Sequence, residues 1–169
     1  DLGYDVEKLM QPVKKRIRYV QKHFSPERQL AGTVAMEHFT AILADSILRE
    51  RSWFDGAIEP MQRIWRWHAL EETEHKAVAF DVYMKVCGDR KMLTLGMWHM
   101  LRRDGELTNL RMWRQGLAWL WGRGGFFSSL FGAYRDFYRE DFHPWQHDNQ
   151  QLMREYQKEF AVAETGVAA

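Results

Sequence analysis

Apolar and polar residues recur along this chain with a period of three to four, and nowhere with the alternation of a half-buried strand. The longest such stretch runs through Trp65-Arg66-Trp67-His68-Ala69-Leu70-Glu71-Glu72-Thr73-Glu74-His75-Lys76-Ala77-Val78-Ala79-Phe80-Asp81-Val82-Tyr83, with no glycine or proline. Strong helix formers dominate it, so the pattern predicts one long helix over residues 57–87, closed by Gly88 as C-cap. Before it, Ser25 as N-cap, Pro26 in the first turn and Glu27 at the positive end start a helix over 26–50. The connection between the two holds Gly56 and Pro60 and is short, which implies antiparallel neighbours.

The remaining pattern is helical as well. Residues 5–23 read as a basic amphipathic helix kinked or started by Pro12, with Val13, Ile17 and Val20 on one side. Lys14, Lys15, Arg16 and Arg18 crowd the rest, and a solvated outer face is favoured over a phosphate or anionic membrane site. Helices follow at 92–101, 107–121, 126–138 and 148–161, with breaks at Asp104, Gly105, the Gly122-Arg123-Gly124-Gly125 run and Pro144. The helices after Asp89 carry Met92, Met97, Trp98, Met100, Met112, Trp113, Trp119 and Trp121, a surface suited to a core or a partner, with peripheral membrane contact as the alternative. Residues 162–169 are expected to fray. The fold class is all-α, one helical domain over 1–169, with the later helices packed across the antiparallel pair.

Composition narrows the picture only a little. A hydrophobic share of 46% with eight Trp excludes disorder, and a net charge of +1 gives no ground for nucleic acid as a partner. The single cysteine, Cys87, excludes an intramolecular disulfide framework and fits a reducing, cytoplasmic compartment. No signal peptide or membrane-spanning run is visible.

The chemistry sits on the central pattern. Residues three or four apart share a helix face, which lines up His68, Glu72 and His75 with Trp65, Ala79, Val82 and Val86. A carboxylate within an apolar stripe needs compensation. Glu72-Thr73-Glu74-His75 has the Glu-x-x-His spacing by which di-iron and di-manganese bundles present two ligands from one helix. On the preceding helix, Glu37 lies among Leu30, Thr33, Val34, Thr40, Ala41 and Ala44. Counted from the connection, Glu37 and Glu72 fall at similar heights in the hairpin. His38 packs or hydrogen-bonds at the edge of that contact, while His143 and His147 are either further ligands or part of a polar connector capped by Asp148. Glu71 and Glu74 turn partly away from the ligand line and receive no catalytic role.

Met36-Glu37-His38-Phe39-Thr40-Ala41-Ile42-Leu43-Ala44, the Trp67 to Tyr83 block and Phe142-His143-Pro144-Trp145 resemble, in this order, the bacterial predicted metal-dependent hydrolase family. The resemblance implies a ferritin-like helical bundle with a divalent metal, iron or manganese favoured and zinc admissible. It implies Glu37, Glu72 and His75 as metal ligands with His68 as a fourth, and a small-molecule substrate. Family members look longer at the N-terminus, where earlier helices carry their own Glu and Glu-x-x-His. The chain is therefore expected to be the C-terminal portion of a longer member, with a bundle incomplete at its N-terminus. Its open side would be covered by those helices or by a second copy in a homo-oligomer. Two other readings stand beside a hydrolase: a di-iron or di-manganese oxidoreductase, and a non-enzymatic interaction module with Glu37, Glu72 and His75 in a buried polar network with Arg63 or Lys76.

Overall fold

The computed structural model describes residues 3–103 and 126–165. Among them every regular element is helical and no strand occurs. The order is α1 (Val6–His23), α2 (Pro26–Arg49), a 3-10 turn (Arg51–Phe54), α3 (Glu59–His75), α4 (Val78–Val86), α5 (Arg90–Arg103), α6 (Phe126–Asp136), a second 3-10 turn (Pro144–Gln146) and α7 (Gln150–Thr165). The expected segment 107–121 and the glycine run at 122–125 lie outside the described residues, as does the tail beyond Thr165. Residues 162–165, expected to fray, continue α7.

α2 is the element the others pack on, and its sequence explains why. Ser25 accepts from the Arg28 amide and Pro26 occupies the first turn, so the helix starts where its unpaired N–H groups are met. Its alanines then let neighbours approach closely. Ala31, Val34 and Ala35 pack with Phe80 and Tyr83 of α4, Leu93 and Met97 of α5, and Phe137 and Phe142. One turn after another down the same helix, Ala44, Ile47 and Leu48 meet Ala69 and Leu70 of α3 and Tyr156 of α7. Because early α2 meets α4 and late α2 meets α3, which precedes α4, the pair runs antiparallel, as the short connection requires. Burial of side chains such as Tyr83 and Met97, both fully enclosed, contributes on the order of 1.5–3 kcal/mol each. Between α2 and α5 the backbones themselves touch: a Cβ on Gly96 would stand 2.8 Å from the Ala31 carbonyl oxygen.

One expectation needs correction. The single helix over 57–87 is two helices, interrupted at Lys76 and Ala77. The cause is tertiary. Lys76 is only 3% exposed, and its ammonium donates to the His147 carbonyl at 2.6 Å and to Asn149 Oδ1 at 2.8 Å. Trp145 lies under it, with Nζ 4.5 Å from the ring centroid. A buried cation must find acceptors, and the connector before α7 supplies them beside the interruption. Helical bonding resumes where the Asp81 amide meets the Ala77 carbonyl. At its far end, α4 closes on Gly88 (φ +67), whose amide bonds the Tyr83 carbonyl in the manner expected of a C-cap.

The apolar stripe along the ligand line lies on the side expected to be open. Trp65, Val82 and Val86 are 45%, 48% and 71% exposed. The face that packs inward carries Ala69, Leu70, Thr73, Ala77, Phe80 and Tyr83 instead. α3 and α4 hold two apolar stripes, and only the one with small and aromatic residues matches the alanines of α2. Glu72 and His75 therefore stand at the boundary between core and surface.

Candidate metal centre

Three side chains from two helices converge at that boundary. Glu37 comes from the middle of α2, and Glu72 and His75 from the last turn of α3. One ligand atom from each lies within 4.8 Å of the others, and all three residues are half-buried. The antiparallel pairing does this: Thr40 faces Glu72, and Glu37, one turn earlier, faces His75. Among the described residues no other group of three or more His, Cys, Asp or Glu side chains converges this way.

The polar contacts show how each group is held. Thr40 donates its hydroxyl to Glu72 Oε2 at 2.9 Å and lies 3.2 Å from the Glu37 carbonyl. His75 Nδ1 is 3.3 Å from Glu37 Oε2, and His75 Nε2 is 3.9 Å from Glu71 Oε1. His68 Nε2 stands 3.4 Å from Glu72 Oε1, while its Nδ1 is 3.2 Å from Glu71 Oε2. Glu37 Oε2 is buried and makes no hydrogen bond; the nearby imidazole nitrogen is close but does not satisfy it. An enclosed carboxylate oxygen without a donor is a cost of about 1–3 kcal/mol or more. A cation removes it. Two carboxylates and an imidazole make a mixed oxygen and nitrogen donor set of the kind that divalent metals take, so the residues present fit a metal.

His38, His143 and His147 are engaged elsewhere. His143 Nε2 bonds Asp81 Oδ1 at 2.9 Å and its Nδ1 accepts from the Trp145 amide. His147 Nε2 bonds Asp136 Oδ2 at 3.1 Å. Both belong to the connector ahead of α7, where Asp148 accepts from the Gln150 amide. His38 is 3% exposed and its Nε2 meets the Ala133 carbonyl at 3.2 Å. Burial, with the neighbouring His147 adding to it, holds its imidazole down at about 4, so it is neutral at pH 7. Burial likewise lowers the Lys76 ammonium to about 8. That lysine turns away from the carboxylates toward the connector. Glu74, one residue before His75, accepts from Gln157 of α7 at 2.7 Å and ties α3 to that helix.

Two residues that sequence reasoning passed over belong to the site. Glu71, at an angle that turns it partly away from the ligand line, stands near both histidines; its positions three after His68 and four before His75 are the signal. Thr40 reads in sequence as a small neighbour of Glu37, and nothing in its own pattern marks it as a partner of Glu72.

Comparison with known proteins agrees with this geometry in kind. A family model described as predicted metal-dependent hydrolase matches residues 1–148. No curated protein and no solved structure matches the chain.

Proposed function

We propose that this chain, which belongs to the predicted metal-dependent hydrolase family, holds one divalent metal between α2 and α3 through Glu37, Glu72 and His75 and hydrolyses a small-molecule substrate there. The observation that carries the reading is the convergence of those three ligand atoms around a carboxylate oxygen that has no donor. A bound divalent metal supplies Lewis acidity and lowers the pKa of a coordinated water toward neutrality. The rest is done by the chain. Glu71 stands 3.9 Å from His75 Nε2, while Nδ1 faces Glu37. Thr40 fixes one oxygen of Glu72 and His68 contacts the other, so His68 acts as an orienting partner or as the fourth ligand.

Oxygen-rich ligand sets favour iron or manganese over zinc. The same donor set supports a second reading, redox chemistry at a ferritin-like di-iron or di-manganese centre. A purely structural polar network is less well supported, because Lys76 is engaged at the connector and leaves Glu37 Oε2 unmet. The single cysteine supports a reducing, cytoplasmic setting.

Elemental analysis of protein purified without chelator tests the proposal. Stoichiometric iron or manganese is expected, lost in a Glu72→Ala/His75→Ala variant that keeps its helical circular dichroism. Protein that takes up no metal at any loading, and whose stability ignores chelator, would overturn it.

A further inference from the structure

α1 has a strongly amphipathic sequence, and its pattern predicts an apolar side packed on the bundle under a solvated basic side. The structure differs: none of the 18 residues of α1 is buried. Val6, Leu9, Met10, Val13 and Ile17 recur every three or four residues and so share one face. Val6 and Leu9 are 65% and 63% exposed, and Val13 and Ile17 about half. An open groove of about 900 Å³ lies between this face and α2 and α5, so the described residues leave the face uncovered. Across the groove, Met36 of α2 and Leu95 of α5 are about half exposed as well.

The other side of α1 is basic. The helix holds six lysines and arginines and a single acid, Glu7, which takes up Lys14 at 2.8 Å. Lys8, Lys15, Arg18 and Lys22 are exposed and follow one another at helical spacing on the side away from Leu9 and Val13. An apolar face backed by a lysine-rich one, on a helix too polar to cross a bilayer, is the build of helices that lie in the headgroup layer of anionic membranes. Long lysine stems carry their charges back toward the lipid phosphates. A second copy of the chain would also cover the apolar face, but it would bring two basic helices together, whereas anionic lipid offsets their charge.

We propose that α1 docks the protein on anionic lipid bilayers. The helix lies in the plane of the headgroups, with Val6, Leu9, Met10, Val13 and Ile17 at the acyl-chain boundary and Lys8, Lys15, Arg18 and Lys22 answering the lipid phosphates. The partner is a charged surface, with no single lipid singled out. This contact goes beyond the metal centre and does not depend on it, since none of these residues is a candidate ligand.

Co-sedimentation of the purified protein with vesicles tests this. Binding is expected to vesicles of equal parts phosphatidylcholine and phosphatidylglycerol, and far less to phosphatidylcholine alone. High salt should weaken it, because it screens the lipid charge. Leu9→Glu sets a charge on the apolar face, and Lys15→Glu/Lys22→Glu reverses part of the basic one. Each should weaken vesicle binding by about tenfold or more, that is ~1.4 kcal/mol. All three positions are exposed, so both variants should keep wild-type circular dichroism. Soluble glycerophosphate should not displace the protein from the vesicles. No binding to the anionic vesicles, equal binding to neutral ones, full binding by either variant, or displacement by glycerophosphate would each overturn the proposal. So would light scattering that shows a wild-type dimer which Leu9→Glu splits, because the apolar face would then seat a second copy. Vesicle binding without metal uptake supports this inference and removes the metal reading, and metal uptake without vesicle binding does the reverse.

Discussion

Thr40 gives its hydroxyl hydrogen to Glu72 at 2.9 Å, and that bond decides which way the carboxylate is presented. Partners of this kind change metal affinity by about 10–100-fold when lost. Thr40→Val keeps the size and shape of the side chain and removes the donor, so it should weaken manganese binding by about tenfold while leaving the fold intact. Titration followed by electron paramagnetic resonance reads this directly; unchanged affinity would show that Glu72 needs no such support. His38, one residue after Glu37, predicts a pH effect of a different origin. Its ordinary value is 6.5 and burial lowers it to about 4 in the folded chain. Between those values the unfolded chain binds a proton that the folded chain refuses. Stability therefore falls as pH drops from 6.5 toward 4, by up to about 3 kcal/mol. Urea midpoints at several pH values should show the slope, and His38→Phe should flatten it in that window.

At the scale of elements, α2 with its alanines determines how near its neighbours come. Gly96 of α5 rests on the Ala31 backbone so closely that a methyl group would stand 2.8 Å from the carbonyl oxygen and 2.9 Å from the carbonyl carbon. Neither atom can swing aside as a side chain would. Gly96→Ala should gain helix propensity, about 0.8–1 kcal/mol, and lose more through forced separation of α5 from α2, about 1–3 kcal/mol for overpacking. A net loss of stability in chemical denaturation is expected; a gain would show that the helices can slide apart freely. The break at Lys76 and Ala77 belongs to this scale too. It lets His75 end one helix while Phe80 and Tyr83 of the next enter the core. Helix propensity could not reveal it, since every residue from Trp65 to Tyr83 favours or tolerates a helix. The acceptors that cause it, His147 and Asn149, lie some seventy residues further on.

For the whole molecule, no helix among the described residues is long and apolar enough to cross a membrane. The outer side of α3 and α4 exposes Ile64, Trp65, Val78, Val82 and Val86, on the helices that carry Glu72 and His75 of the candidate metal site. An apolar stripe of that extent favours association. We expect the chain to self-associate through this face, more tightly with manganese present, because the open ligand set lies within it. Light scattering on purified protein with and without manganese checks this. Val82→Glu should shift the population to monomer; a wild-type chain that is monomeric under both conditions would dispose of the idea.

Sequence alone determined the all-α class, the start of α2 at Ser25 and Pro26, the Gly88 cap and the antiparallel hairpin. Each follows from local chemistry: a capping side chain, a fixed proline φ, a glycine at positive φ, a connection too short for any other arrangement. It also placed Glu37 and Glu72 at similar heights, because two helices of fixed rise that share a short connection have little freedom in register. Tertiary structure alone decided which of two apolar stripes on α3 and α4 was buried, since both satisfy the same periodicity and only packing against Ala31, Ala35 and Ala44 separates them. It decided as well that the long helix breaks after His75 and that Thr40 and Glu71 stand against the candidate ligands. Those outcomes depend on groups distant along the chain, and a pattern read over three or four residues carries no record of what a side chain will meet across the core.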